Sequence, residues 1–312
     1  MTPSWRGLLA LGALLGPTTG CRPEPAPAAE VPRVDAGWVM VPPTTIRQSG
    51  TLAHPRLAEA SGAAVTSQRA GLLWTINDSG NPPDLLLIDT SGTLLATLPL
   101  TGVSNTDWED VALGPCPTGR CVYIADTGDN LERRDAVTMI RLTEPNLDAA
   151  FQGDRPPRPA ETLTFRYPDG AHDVEAMVVN AAGDVLLVTK GRSDGVLLFR
   201  VASGAWGKRV ATAERVDSLA ITPNAGMGRL VTGAALSADG NELMVRTYRD
   251  LFPFRVLPTG KVTPKGKPTA CDILGKEPLG EGISWLSPTT LVLTSERGLM
   301  KSGTVFVVRC SV

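Results

Sequence analysis

The stretch Asn105-Thr-Asp-Trp-Glu109-Asp-Val-Ala112, followed by Val122-Tyr-Ile-Ala-Asp126-Thr-Gly-Asp-Asn130, decides the fold because its form recurs along the chain. An acidic residue opens a short apolar strand, and a second strand ends in polar residues. The same form stands at Leu57-Ala-Glu59-Ala-Ser-Gly62 before Leu73-Trp-Thr-Ile-Asn77-Asp78. It returns at Asp173-Val-Glu175-Ala-Met177 before Leu186-Leu-Val-Thr-Lys190, and at Gly280-Glu281-Gly-Ile-Ser284 before Leu291-Val-Leu-Thr-Ser-Glu296. Self-similarity at a period of tens of residues is the mark of a repeat architecture.

Around these phrases the apolar residues alternate or form short runs, and no amphipathic helix stands out. Turn chemistry separates the runs at Ser91-Gly92, Ala182-Gly183-Asp184 and Asp239-Gly240-Asn241. The 32 glycines and 26 prolines suit many tight turns. Five units emerge. Their strands are expected at 62–66, 72–76, 85–89 and 94–99; at 111–113, 121–125, 138–142 and 161–166; and at 176–179, 185–189, 196–201 and 209–215. The last two units have 234–236, 242–247, 252–257 and 267–271, then 283–286, 291–295 and 304–309. Units of four strands and about 50 residues are the blades of a β-propeller. The fifth unit has three strands, and Thr45–Leu52 is the candidate that completes it and closes the ring. The fold expected is therefore all-β, a five-bladed propeller. A sixth blade would need a divergent unit near Ser218–Arg229.

At 312 residues, 42% hydrophobic and 20% charged, the chain can bury a sizeable core. A net charge of -2 without a basic stripe gives no case for nucleic acid as a partner. Residues 1–20 read as an export signal, with Arg6, an apolar run from Gly7 to Leu15, and small residues up to Cys21. Thr18-Thr19-Gly20-Cys21 has the form of a lipobox, which makes Cys21 the lipidated N-terminus, although Thr18 stands where leucine is usual. Cleavage near Ala28-Ala29 is the rival. Residues 21–43, rich in Pro and Ala, read as an extended tether, and 44–312 as the propeller. The protein is thus expected in the cell envelope, on a membrane through its lipid and as a monomer. Arg22 after the cysteine leans the assignment to the outer membrane. Export also favours disulfides: of three possible pairings, the hairpin spacing favours Cys116 with Cys121, leaving Cys271 with Cys310.

Equivalent strand starts in a propeller meet at one mouth of its channel. Glu59, Glu109, Glu175 and Glu281 hold that place in four units, and Thr232-Gly233 in the other. Asp78, Asp107, Asp110, Asp126, Asp129, Lys190, Arg246 and Glu296 are expected beside them. Carboxylates so crowded must take up protons or cations. Glu59, Asn77, Glu109, Glu175 and Glu281 form a hard oxygen donor set, suited to Ca²⁺ ahead of Mg²⁺ and to neither Zn²⁺ nor Cu²⁺. Glutamates accepting backbone N–H groups, and so locking the blades, are the alternative. His172 and Asp173 are the candidates for a catalytic base. The chain lacks a Gly-x-Ser-x-Gly elbow, a His-Glu-x-x-His helix, a phosphate loop and a dinucleotide fingerprint.

The runs Trp74-Thr-Ile-Asn-Asp-Ser-Gly-Asn81, Asn105-Thr-Asp-Trp-Glu-Asp110 and Ile124-Ala-Asp-Thr-Gly-Asp-Asn130 resemble a family of exported bacterial β-propeller proteins, many of them lipoproteins. That family is distantly like the calcium-dependent lactonase and phytase-like propellers. The resemblance covers roughly residues 55 to 300. It implies an envelope protein that binds an unidentified protein or small molecule, or a Ca²⁺-dependent hydrolase of lactones, esters or phosphoesters. This chain departs from the family in its fourth unit, with Ala234-Ala235 where an acidic residue is customary.

Overall fold

The computed structural model describes residues 37–117, 119–151, 158–193 and 195–311. The export segment 1–20, Cys21 and the tether up to residue 36 lie outside the described residues. Five antiparallel sheets follow one another along the chain. The first blade is Ala60–Val65, Leu72–Asn77, Asp84–Asp89 and Leu94–Thr101. The second is Trp108–Cys116, Gly119–Asp126, Val137–Thr143 and Glu161–Arg166. The third is Val174–Val179, Val185–Thr189, Val196–Val201 and Glu214–Leu219, and the fourth Val231–Leu236, Glu242–Thr247, Asp250–Val256 and Thr269–Asp272. Leu279–Ser287, Thr290–Glu296 and Gly303–Arg309 make the fifth. Its outer strand is Thr45–Leu52, antiparallel to Gly303–Arg309, so the N-terminal strand closes the ring as expected. Each inner strand packs on the inner strands of both neighbouring blades.

The period of two in the sequence explains how the blades stack. Val122 and Ile124 face the first blade, where they meet Trp74, Ile76 and Leu87. Tyr123 and Ala125, on the other face of the same strand, meet Met177, Leu187 and Phe199 of the third. Comparable apolar layers fill the remaining three gaps. Trp74 and Trp108 are fully buried in one such layer. Trp285 packs on another and donates its Nε1–H to the Ala235 carbonyl at 3.3 Å.

Three details depart from the expectations, while the five-bladed reading holds. Residues 214–219, rather than 209–215, form the outer strand of the third blade. The stretch 218–229 holds that strand's end and a 3₁₀ turn at Ala225–Met227 with an Asn224–Arg229 bridge, and no sixth blade. Short parallel strands, Val39–Val41, Arg158–Pro159 and Ala211–Thr212, cover the outer edges of the fourth, first and second blades. The last seven residues assigned to the tether thus already belong to the propeller. Trp38 there lies edge-on to Phe252 and Phe254, at 5.1 and 5.4 Å between centroids.

Cys116 pairs with Cys121 and Cys271 with Cys310, at Cα separations of 5.8 and 6.0 Å. The second bridge ties the outer strand of the fourth blade to the end of the strand on which the ring closes.

Candidate functional site: an acidic channel mouth

Each inner strand carries a β-bulge near its start, and the bulge re-aims side chains toward the channel mouth. Pairing skips Glu109 between Trp108 and Asp110, Glu175 between Val174 and Ala176, and Thr232 between Val231 and Gly233. In the fifth blade Glu281 and Gly282 together oppose Thr294. In the first, Gly62 and Ala63 oppose Thr75. By register, then, the counterpart of the three glutamates in the first blade is Ser61: it follows the pair Ala60–Asn77 as Glu109 follows Trp108–Asp126 and Glu281 follows Gly280–Ser295. Glu59 precedes it by two residues, is exposed, and accepts from Asn81 Nδ2 at 2.6 Å. The ring holds three buried glutamates, Glu109, Glu175 and Glu281, and Glu59 stands at its rim.

Glu109 is the hub. One oxygen each of Asp78, Asp107 and Glu109 lie within 4.8 Å of one another, and so do oxygens of Glu109, Asp173 and Glu175. A Cβ on Gly128 would stand 2.0 Å from Glu109 Oε1 and 2.6 Å from Asp107 Oδ2, so only glycine leaves these carboxylates their place. The sequence Thr127-Gly128 therefore shapes a cradle for acidic side chains.

Burial drives every shift at the mouth. It raises the Glu109 carboxyl well above its usual range, with Glu175 and Asp78 adding to the rise. Glu175 is pushed up to about 7 by burial, against the pull of Lys190, whose Nζ pairs with Glu175 Oε1. A side-chain hydrogen bond with Glu109 also draws Glu175 back down, so the two carboxyls titrate as a pair. Glu281 is raised by burial and by Glu175 and Glu296. Asp107 is pushed up to about 6 by burial with Asp78 close by. Glu296, half-buried, rises to about 7 through burial and the charges of Asp78 and Glu59. Tyr248 completes the mouth; burial and then Glu281 raise its hydroxyl. Tyr248 was not among the residues singled out from sequence, although it follows Arg246-Thr247 in the loop position that yielded Lys190.

The other expected mouth residues have structural work. Asp110 turns inward to the ring axis, where it accepts N–H groups from Val111 and Met177, each at 2.8 Å, and from Ala234. It locks three blades. Asp126 accepts from Arg134 Nη2 at 2.9 Å and from the Thr106 and Asp107 amides at 3.3 Å. Asp129 accepts the Arg133 and Arg134 amides at 2.6 Å, while its own N–H donates to Asp173. Arg246 is fully buried and its charge draws Glu281 down, but its hydrogen bonds go elsewhere: Nη2 pairs with Glu277 and Nη1 donates to the Gly282 and Thr294 carbonyls. His172 is not positioned as a base. Its Nε2 bonds Asp169 Oδ1 at 2.8 Å, and its ring packs against Tyr167 and Phe199. Asp173 does reach the mouth, but Arg192 Nε holds it at 2.9 Å. Asn77 donates to the Arg56 carbonyl at 2.7 Å, and its buried Oδ1 has no hydrogen-bond partner among the described residues.

The site thus gathers Asp78, Asp107, Glu109, Asp173, Glu175, Glu281 and Glu296, answered by Lys190 and Arg192. Such an arrangement fits a hard cation: all donors are oxygens, and the carboxyls keep protons that an ion would displace.

No protein-family model matches the chain, and no curated protein matches it in sequence. Among solved structures it is similar to the PQQ-bound form of an aldose sugar dehydrogenase from Streptomyces coelicolor, at 11% identity, over 86% of this chain and 99% of that one, with a TM-score of 0.48. A glucose dehydrogenase matches at 13% identity over 86% and 100%, TM-score 0.44. A nidogen/laminin complex matches at 12% identity over 76% and 73%, TM-score 0.42. The five blades are read from the strand pairing itself.

Proposed function

We propose that this is an exported, lipid-anchored binding protein of the cell envelope whose acidic mouth takes up Ca²⁺ and, with it, an oxygen-rich ligand or partner. The observation that carries this reading is Glu109, whose carboxylate belongs to both three-carboxylate groups at the mouth. Seven acidic side chains meet there, and like charges at such spacing stay ionised only with a counter-charge. Asp78, Asp107, Glu109, Asp173 and Glu175 would hold the ion. Anchorage through Cys21, an outer-membrane address and a monomeric state complete the proposal, on the strength of the lipobox and the Pro-rich tether.

A second reading, a Ca²⁺-dependent hydrolase of lactones, esters or phosphoesters, draws on Glu296. This carboxyl lies at the mouth, pushed up to about 7, and makes no ion pair among the described residues. A bound ion would supply Lewis acidity toward the substrate oxygen. Glu296 would accept the proton of the attacking water, in place of His172.

Calorimetric titration of the purified chain with CaCl₂ and MgCl₂ tests the first reading. Saturable Ca²⁺ binding, weakened at least about tenfold by Glu109→Gln, supports it. Heats no larger than dilution for both ions would remove it. Turnover of lactone and ester substrates that is lost in Glu296→Gln with Ca²⁺ affinity kept would select the hydrolase.

A further inference from the structure

The face opposite the mouth carries a second concave site. A cavity of about 670 Å³ opens between the second and third blades, where the turn after Trp108–Cys116 meets the segments 181–183 and 203–207. That volume falls in the range of small-molecule sites, roughly 300–1,000 Å³. Arg141 lines it with only 8% of its side chain exposed. The guanidinium lies 4.0 Å from the centroid of the Trp206 ring, and Tyr123 meets the same ring edge-on at 6.0 Å. Tyr123 in turn is fixed by its hydroxyl, which donates to the Pro115 carbonyl at 2.6 Å.

A guanidinium has five N–H donors and stays charged. Here Nη2 alone donates to a protein acceptor among the described residues, Glu161 Oε2 at 2.5 Å. Glu161 is 66% exposed, so a nearly buried cation is answered by a carboxylate hanging in solvent. A carboxylate so exposed keeps most of its hydration and can return to water when another anion takes its place. The stacking on Trp206 holds the fork in one orientation, which favours planar, two-point recognition of a carboxylate. Around it the wall is polar as well as aromatic, with Glu161 and Ser203 at the rim.

We propose that this cavity binds a small sugar acid, with its carboxylate on Arg141, its ring against Trp206 and its hydroxyls toward Ser203. The site is independent of the acidic mouth and of any ion bound there. Glu161 competes for the guanidinium in the free protein and is set aside when the ligand enters. That competition separates a binding site from a purely structural stack, because a structural stack has no reason to respond to the loss of Glu161.

Calorimetric titration of the full chain with D-glucuronate, D-glucose and sulfate tests the assignment. Glucuronate is expected to bind saturably, and glucose and sulfate at least about tenfold more weakly, since each lacks either the charge or the ring. Arg141→Lys should lose at least about tenfold in glucuronate affinity with the far-ultraviolet circular dichroism unchanged. Glu161→Gln, which keeps an oxygen acceptor for Arg141 and removes the charge, should tighten binding about three-fold by weakening the competitor. No glucuronate binding, equal binding of sulfate or glucose, or an affinity indifferent to Glu161→Gln would each overturn the proposal.

Discussion

Glu109 and Asp110 are neighbours in sequence with opposite fates, and the contrast separates two regions of the propeller. On the ring axis, Asp110 is answered by backbone N–H groups of three blades. Glu277, also buried, is answered instead by the Arg246 guanidinium. At the mouth, Glu109 faces Glu175, Asp78 and Asp107, with Lys190 as the nearest cation. One region uses carboxylates to hold blades together. The other holds them against their mutual repulsion, which is a cost to stability unless something arrives to relieve it. A buried acid surrounded by donors marks architecture; a buried acid surrounded by acids marks a site.

Breaking the first region should have the largest effect. Glu277→Ala leaves Arg246 charged and unpaired in the interior and is expected to cost about 3–5 kcal/mol, measured by urea unfolding. Asp110→Ala, which strands three backbone donors, belongs in the same range. A loss below about 1 kcal/mol for both would show that the axis is not held as described.

The mouth should respond to pH in the opposite sense from an ordinary salt-bridged protein. Glu175 and Glu296 have carboxyls raised to about 7 in the folded chain, against about 4.3 when unfolded. The folded state therefore keeps protons that the unfolded state has lost, and the stability this lends is complete below pH ~4.5 and gone once the pH has risen through ~7. The metal-free protein is expected to lose on the order of 3 kcal/mol between pH 5 and pH 8 from these groups. Saturating Ca²⁺ at pH 8 should restore about 2–3 kcal/mol, read as a shift in Tm.

Glu109→Gln sharpens the comparison at a smaller scale. Removing one of the crowded charges should stabilise the metal-free protein by about 1 kcal/mol at pH 8 while weakening Ca²⁺ binding. Glu59→Gln should do least, within about 0.5 kcal/mol and with Ca²⁺ affinity kept, because this side chain stands at the rim in solvent.

The blades were legible in the sequence because strand periodicity and turn chemistry are local. Cys116–Cys121 could be placed for the same reason, Cys271–Cys310 as the pair that remained, and the closing strand Thr45–Leu52 because the fifth unit lacked an outer strand. The short parallel strands were not, since Val39–Val41 and Ala211–Thr212 are defined by which edge they cover. The candidate site was half legible. Glu109, Glu175 and Glu281 meet as the repeated phrase implies, but Glu59 fails because matching phrases letter by letter ignores the strand register, which sets Ser61 in that place. His172 was misplaced for a different reason: its neighbours in sequence are acidic, whereas its neighbours in space are Tyr167 and Phe199. Glu277 carried no local signal, since only Arg246 reaching across from the fourth blade gives it a role.

The raised carboxyls of Glu109 and Glu175 offer the most direct test. Ca²⁺ binding measured by calorimetry at pH 6.5 in buffers of different ionisation enthalpy counts the protons released per ion bound. Displacement of a proton from this pair predicts a release of about one per Ca²⁺, abolished in Glu109→Gln. Binding with no buffer dependence, or a release unchanged in that variant, would contradict a mouth whose carboxylates wait, protonated, for a cation.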